Sequence, residues 1–197
     1  MKKIFLIGDS IRFGFDEEKD RNLGYGYHMK QKLYGKAEVY YPFENCRFLM
    51  YTLRYLGEWK AQLGLGDDID IVHWNNGLWD VLRLYGDEPF TPIEQYKEQL
   101  VRVYKRIKLL FPKAKIYFSL STPIIQEQAG GDFSRDNKDI EEYNKEAIKV
   151  LEPLGVEIID LYSKAKPLQP KYSKDWVHYT SEGAEILADY IIEKLDI

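Results

Sequence analysis

The sequence predicts an α/β protein, a three-layer α/β/α sandwich on a five-stranded parallel sheet. Three observations carry that expectation. Five short apolar runs rich in β-formers are spaced along the chain, each bounded by turn residues. Between most of them lie segments whose apolar residues recur at helical spacing. Strands that alternate with helices pair in parallel, because each crossover lays its helix on a face of the sheet. For five strands the doubly wound, flavodoxin-like order 2-1-3-4-5 is expected. The length of 197 residues, with 45% hydrophobic and 30% charged residues, suits one domain over residues 1–197, and no repeat, low-complexity stretch or linker interrupts it.

The elements follow in order. Lys2 to Ile7 reads as a buried strand closed by Gly8-Asp9-Ser10. Residues 11–23 show no clean period, and 16–21 read as a solvated loop. Residues 25–34 form a short helix ending at Gly35, and Ala37 to Tyr41 a second strand stopped by Pro42. Phe48, Thr52, Tyr55, Leu56, Trp59 and Leu63 mark a helix ended by Gly64 and Gly66. Ile69 to Trp74 is a third strand running into the polar cluster Asn75-Asn76-Gly77-Leu78-Trp79-Asp80. Thr91, Pro92 and Glu94 predict a capping box ahead of a stripe of Ile93, Tyr96, Leu100, Val103, Ile107 and Leu110. Lys115 to Leu120 is the fourth strand, residues 126–137 an open loop, and Ile140, Tyr143, Ala147, Ile148 and Leu151 the stripe of another helix. Val156 to Ile159 is the fifth strand. Ser181 to Leu195 is the last helix, capped by Thr180 or Ser181, with Ala184, Leu187, Ala188, Ile191 and Leu195 inward.

Composition narrows the function classes. A net charge of −4 without a basic tail argues against nucleic acid as a partner. No stretch approaches the roughly 20 apolar residues of a membrane span, and the apolar run after Lys3 stops at Gly8, too short for a signal core. The expectation is a cytoplasmic protein. Cys46 is the only cysteine, and no HExxH, CxxC or clustered carboxylate pattern offers a metal site. No glycine-rich phosphate loop follows the first strand, which argues against a flavin or nucleotide binder. No cofactor is expected.

Ser10 falls just past the carboxyl end of the first strand, the edge where open α/β sheets bind ligands. A serine there becomes a nucleophile if a histidine reaches it. The chain has three histidines. His73 lies inside the third strand and reads as core, and His28 lies in a weak helix at the surface. His178 lies in a loop before the last helix, where functional residues concentrate. Asp175, three residues earlier, can accept a hydrogen bond from its Nδ1–H and hold its tautomer, with Asp160 as the rival acid. Oxyanion donors can come from the Ser10 N–H, the N–H groups around Cys46, and the side-chain amides of Asn75 or Asn76.

These residues resemble the SGNH, or GDSL, hydrolase superfamily over essentially the whole chain. Gly8-Asp9-Ser10 matches its first block, and Asp175-Trp176-Val177-His178, extended by Thr180 and Gly183, its last. The resemblance implies an SGNH-type fold with Ser10 as nucleophile and His178 and Asp175 as its partners. Two middle blocks depart from the pattern. Cys46 stands where a glycine N–H would serve the oxyanion hole, and a positive φ there would strain a cysteine. Trp79 stands where an asparagine side chain would donate, so indole N–H, Asn75 or Asn76 must take over.

The expected function is a serine esterase acting on a small-molecule ester, with O-acetyl groups on carbohydrates as the first candidate substrate. Arg12, Arg47 and the aromatic content, 16 Tyr and 4 Trp, suit a polar, ring-shaped leaving group. The alternative is a binding module on the same fold, impaired in catalysis by Cys46 and Trp79, that holds a sugar or an acylated ligand. Acyl-chain length, oligomeric state and a lid at residues 126–137 are not legible in the sequence.

Overall fold

Residues 4–7 are completely shielded from solvent, and the sheet is built outward from them. The computed structural model describes residues 1–16 and 21–197. Strand β1 (Lys2–Ile7) pairs in parallel with β2 (Ala37–Tyr40) on one side and β3 (Ile71–Trp74) on the other. Strands β4 (Lys115–Ser119) and β5 (Glu157–Ile159) extend the sheet beyond β3. Among these five strands the order is β2-β1-β3-β4-β5. Register aligns Ile4 with Val39 and Ile71, so apolar side chains stack in rows across the sheet. Burying each such side chain contributes about 1.5–3 kcal/mol.

Helices cover both faces. They are α1 (Ser10–Phe13), α2 (Tyr25–Lys32), α3 (Leu49–Gln62), α4 (Ile93–Leu110), α5 (Asn137–Leu151), α6 (Leu161–Ala165) and α7 (Ser181–Lys194). Helix α4 packs between α3 and α5, while α2 and α6 pack on α7. The buried stripe of α4, Tyr96, Leu100, Val103 and Ile107, and that of α7, Ala184, Leu187, Ala188 and Ile191, follow the expected spacing. The Thr180 side chain caps α7 by accepting from the Gly183 N–H.

Several local expectations are corrected. The capping box at Thr91 does not form: its hydroxyl donates to Asp80 at 2.9 Å, and α4 starts behind Pro92 without a side-chain cap. Two helices of four and five residues, α1 and α6, are too short to show a period. Two antiparallel ribbons lie outside the main sheet, Phe15–Asp16 with Arg21–Asn22 and Arg83–Leu84 with Phe133–Ser134. Of the expected solvated loop at 16–21, residues 17–20 lie outside the described residues. The stretch 126–137 is tied down rather than open. Tyr85 N–H donates to the Asp132 carbonyl at 2.8 Å, and Asn137 N–H to Gln126 Oε1 at 2.8 Å. Among the described residues no helix is long and apolar enough to cross a membrane.

Candidate active site

The site begins where β1 ends. Asp9 accepts the Ile11 N–H at 2.9 Å and caps α1, so Ser10 becomes the first helical residue. Gly14, at φ +55°, closes α1 with its N–H on the Ser10 carbonyl. Gly8 has to lack a side chain, since a Cβ there would lie 2.6 Å from Cβ of Arg12. Ser10 is thus held, half-buried, at the sheet's carboxyl edge.

His178 reaches it from the other end of the chain. Its Nε2 lies 2.9 Å from Ser10 Oγ, and its Nδ1 lies 2.8 Å from Asp175 Oδ2. Asp175 Oδ1 accepts the N–H groups of Val177 and His178, each at 2.7 Å, so the turn that carries the carboxylate also orients it. Burial pushes the Asp175 carboxyl up. The hydrogen bonds from the His178 ring and from the His178 and Val177 N–H groups outweigh burial and hold it well below the usual carboxylate range. Asp160 takes no part, because its side chain caps α6 at the Ser163 N–H, 3.0 Å away. His73 is core, with Nε2 2.7 Å from Ser119 Oγ; burial, aided by Arg12, pushes its pKa down to about 3. His28 is half-buried rather than on the surface, 3.1 Å from Ser181 Oγ between α2 and α7.

Several of the expected oxyanion donors bond within the protein. The Cys46 N–H donates to the Gly8 carbonyl at 3.1 Å. Asn75 Nδ2 donates to the Ser119 carbonyl at 3.0 Å, and Asn76 Nδ2 to the Arg47 carbonyl. Asn76 Oδ1 accepts from the Trp74 indole at 2.6 Å. Both amides serve to fix the turn after β3. The positive φ of the second turn falls on Arg47, at +48°, rather than on Cys46. Trp79 is half-buried, with an indole N–H sealed from solvent and without a partner among the described residues. The Ser10 N–H has no acceptor among the described residues.

Two arginines have roles the sequence did not announce. Arg12 is fully buried, not a ligand group. Its Nη1 donates to the Pro42 carbonyl at 2.9 Å, and its Nη2 to the carbonyls of Gly8 and Glu44 and to Cys46 Sγ. It clamps the Ser10 turn to the 42–46 turn. Burial pushes the Cys46 thiol up, against activation as a nucleophile. Arg135, in the stretch read as an open loop, is 5% exposed and lies between the turn after β3 and the Asp175–His178 turn. A lone arginine in an aperiodic loop gives no sequence signal of burial.

Comparison with known proteins fits this arrangement. The GDSL-like Lipase/Acylhydrolase family model matches residues 49–191. The chain belongs to the GDSL-like lipase/acylhydrolase family. With that membership it is a hydrolase of the esterase/lipase type. A GDSL esterase/lipase of Arabidopsis thaliana is 24% identical over 210 residues, covering 96% of this chain and 83% of that protein. The lipase/acylhydrolase from Enterococcus faecalis shares the fold with a TM-score of 0.77 at 19% identity, covering 98% of this chain and 95% of that one. Axe2, an acetylxylan esterase from Geobacillus stearothermophilus, superposes with a TM-score of 0.70 at 18% identity, covering 100% of this chain and 94% of that one. The matched stretch of this GDSL hydrolase includes Asp175 and His178 and begins after Ser10.

Proposed function

We propose that this GDSL hydrolase is a serine esterase that cleaves small acyl esters, foremost O-acetyl groups on carbohydrates. The observation that carries the reading is the unbroken line from Asp175 through His178 to Ser10, with steps of 2.8 and 2.9 Å. Ser10 Oγ attacks the ester carbonyl carbon while His178 Nε2 takes its proton. The tetrahedral intermediate collapses, the bond to the alcohol oxygen breaks, and His178 returns the proton to that oxygen. Water then attacks the acyl-enzyme with His178 again as base, releasing the acid and restoring Ser10. Asp175 holds the ring and stabilises the imidazolium. Side-chain exposures of 40% for His178 and 44% for Asp175 suit an open site that takes a bulky alcohol. The acetate-ester preference takes support from the acetylxylan esterase among the structural relatives.

The engagement of the Cys46, Asn75 and Asn76 donors favours a second reading, a binding module without turnover. Hydrolysis of p-nitrophenyl acetate and p-nitrophenyl octanoate by the wild type and by Ser10→Ala separates the two. The esterase reading expects acetate cleavage that disappears in Ser10→Ala and exceeds octanoate cleavage. Two proteins that both match buffer would leave the binding module. Wild-type activity in Ser10→Ala would remove Ser10 as nucleophile.

A further inference from the structure

A serine that attacks an acyl carbonyl needs donors aimed at the oxygen that becomes negative. The Cys46 N–H and the Arg47 N–H, which bonds Asn45 Oδ1 at 2.8 Å, are engaged within the protein, and the Asn75 and Asn76 amides each spend one of their two N–H groups there. The Ser10 N–H is unengaged at the serine itself among the described residues. One strong donor nearby is unused. Arg135 donates through Nε to the Leu78 carbonyl, in the turn after β3. Its guanidinium carbon lies 6.0 Å from the Trp79 ring in that same turn, 5.4 Å from Phe133, and 5.7 Å from Trp176, the residue following Asp175. The group therefore spans the gap between the turn after β3 and the triad turn.

Its two terminal amino groups donate to nothing among the described residues and are not sealed from solvent. Arg12 makes an instructive contrast, with its Nη groups held by Pro42, Gly8, Glu44 and Cys46. A guanidinium that is 5% exposed and hydrogen-bonded within the protein on one edge only keeps the donors of its other edge for water or a ligand. Three aromatic rings stabilise the cation without occupying its N–H groups. Burial lowers its pKa to about 10, which leaves it charged at neutral pH, and its charge acts on both Asp9 and Asp175, the carboxylates on either side of the reacting serine and histidine.

We propose that Arg135 is a catalytic residue that completes the oxyanion hole: its free amino N–H groups bond the acyl oxygen as the carbonyl turns tetrahedral. This rests on the serine-esterase reading. Arg135 transfers no proton. The carbonyl electron pair moves onto the oxygen when Ser10 adds, Arg135 and the Ser10 N–H hold that charge, and the pair returns when the alcohol leaves with the proton from His178. A charge-assisted donor exceeds a neutral amide in strength, so Arg135 adds a stronger bond than an amide would to that of the Ser10 N–H.

The test compares the wild type with Arg135→Met, Arg135→Gln and Arg135→Lys on p-nitrophenyl acetate, on the anionic mono-p-nitrophenyl succinate, and in labelling of Ser10 by an alkyl fluorophosphonate. The expected result is a fall in kcat of about 10²–10³-fold in the two neutral variants, with KM changed much less. The same variants should slow labelling, and Arg135→Lys should recover at least tenfold of the loss. Near-UV circular dichroism checks folding, and if Arg135→Met fails it, the ratio of Arg135→Lys to Arg135→Gln decides by the same criterion. Neutral variants with wild-type kcat on the acetate overturn the inference, as does a defect confined to KM for the succinate, which would make Arg135 a reader of substrate charge. A wild type that neither cleaves acetate nor is labelled overturns the esterase reading and this inference together.

Discussion

The Arg12 guanidinium lies 3.4 Å from the sulfur of Cys46, and through that contact the residue two places after Ser10 fixes the second turn of the crevice. The pair is buried completely, so neither side chain meets a substrate. Their work is to hold two backbones together, with Cys46 N–H returning a bond to the Gly8 carbonyl at 3.1 Å.

Arg12→Met should therefore lower stability before anything else. It leaves the buried carbonyl of Pro42 without a donor, at about 1–3 kcal/mol, and the half-buried carbonyl of Glu44 to solvent. A loss of about 1–3 kcal/mol in urea unfolding is expected, with kcat reduced because Ser10 loses its support. A variant as stable as the wild type would show that water replaces the guanidinium.

Cys46 should resist chemistry in the folded protein. It is fully buried with its thiol pKa raised by burial, so iodoacetamide at pH 8 should leave both the thiol and esterase activity intact. Alkylation should require denaturant, and mass spectrometry of native and unfolded samples reads the difference.

Asp175→Asn should cost about 10³–10⁴-fold in kcat, because an amide favours the wrong histidine tautomer while leaving the turn in place. The check is the pH–rate profile together with thermal unfolding. Equal loss of stability and activity would point to a collapsed turn instead.

Asp80 sets a pH dependence of stability. Burial pushes its carboxyl up to about 7, against hydrogen bonds from Thr91 and the Leu49 N–H. The unfolded carboxyl titrates near ~3.9. Between those values the native state binds more protons than the unfolded state, so stability falls as pH rises, by up to about 1.4 kcal/mol per pH unit. Asp9, pushed up to about 6 by burial, adds the same sign over the lower part of the window. Urea unfolding at pH 5, 6 and 7 should show this slope in the wild type and a shallower one in Asp80→Asn; identical slopes would mean that Asp80 is ionised in the native state.

Gly77→Ala tests the turn after β3. Gly77 sits at φ +150°, and a Cβ there would lie 2.2 Å from Ser121 Oγ. Backbone strain of about 1–3 kcal/mol is expected before the clash is counted. An alanine variant that unfolds at the wild-type urea midpoint would show that the turn relaxes freely.

What the sequence by itself determined was the scaffold and the candidate reacting groups. Strands buried on both faces are continuous apolar runs, and amphipathic helices repeat at a fixed period, so β1 to β5, α4, α5 and α7 lie within two residues of where the pattern puts them. Ser10, Asp175 and His178 were legible because a nucleophile turn and an Asp-x-x-His turn are local arrangements. What only the tertiary structure decided was where donors point. Hydrogen-bond partners such as Asn76 with the Arg47 carbonyl, or Thr91 with Asp80, join segments whose separation in sequence carries no period. A backbone N–H looks the same in sequence whether it faces a substrate or, like that of Cys46, a neighbouring carbonyl. Arg135 is the extreme case: charge and an aperiodic loop read as solvated surface, and only the packing of Trp79, Phe133 and Trp176 around it makes it part of the crevice.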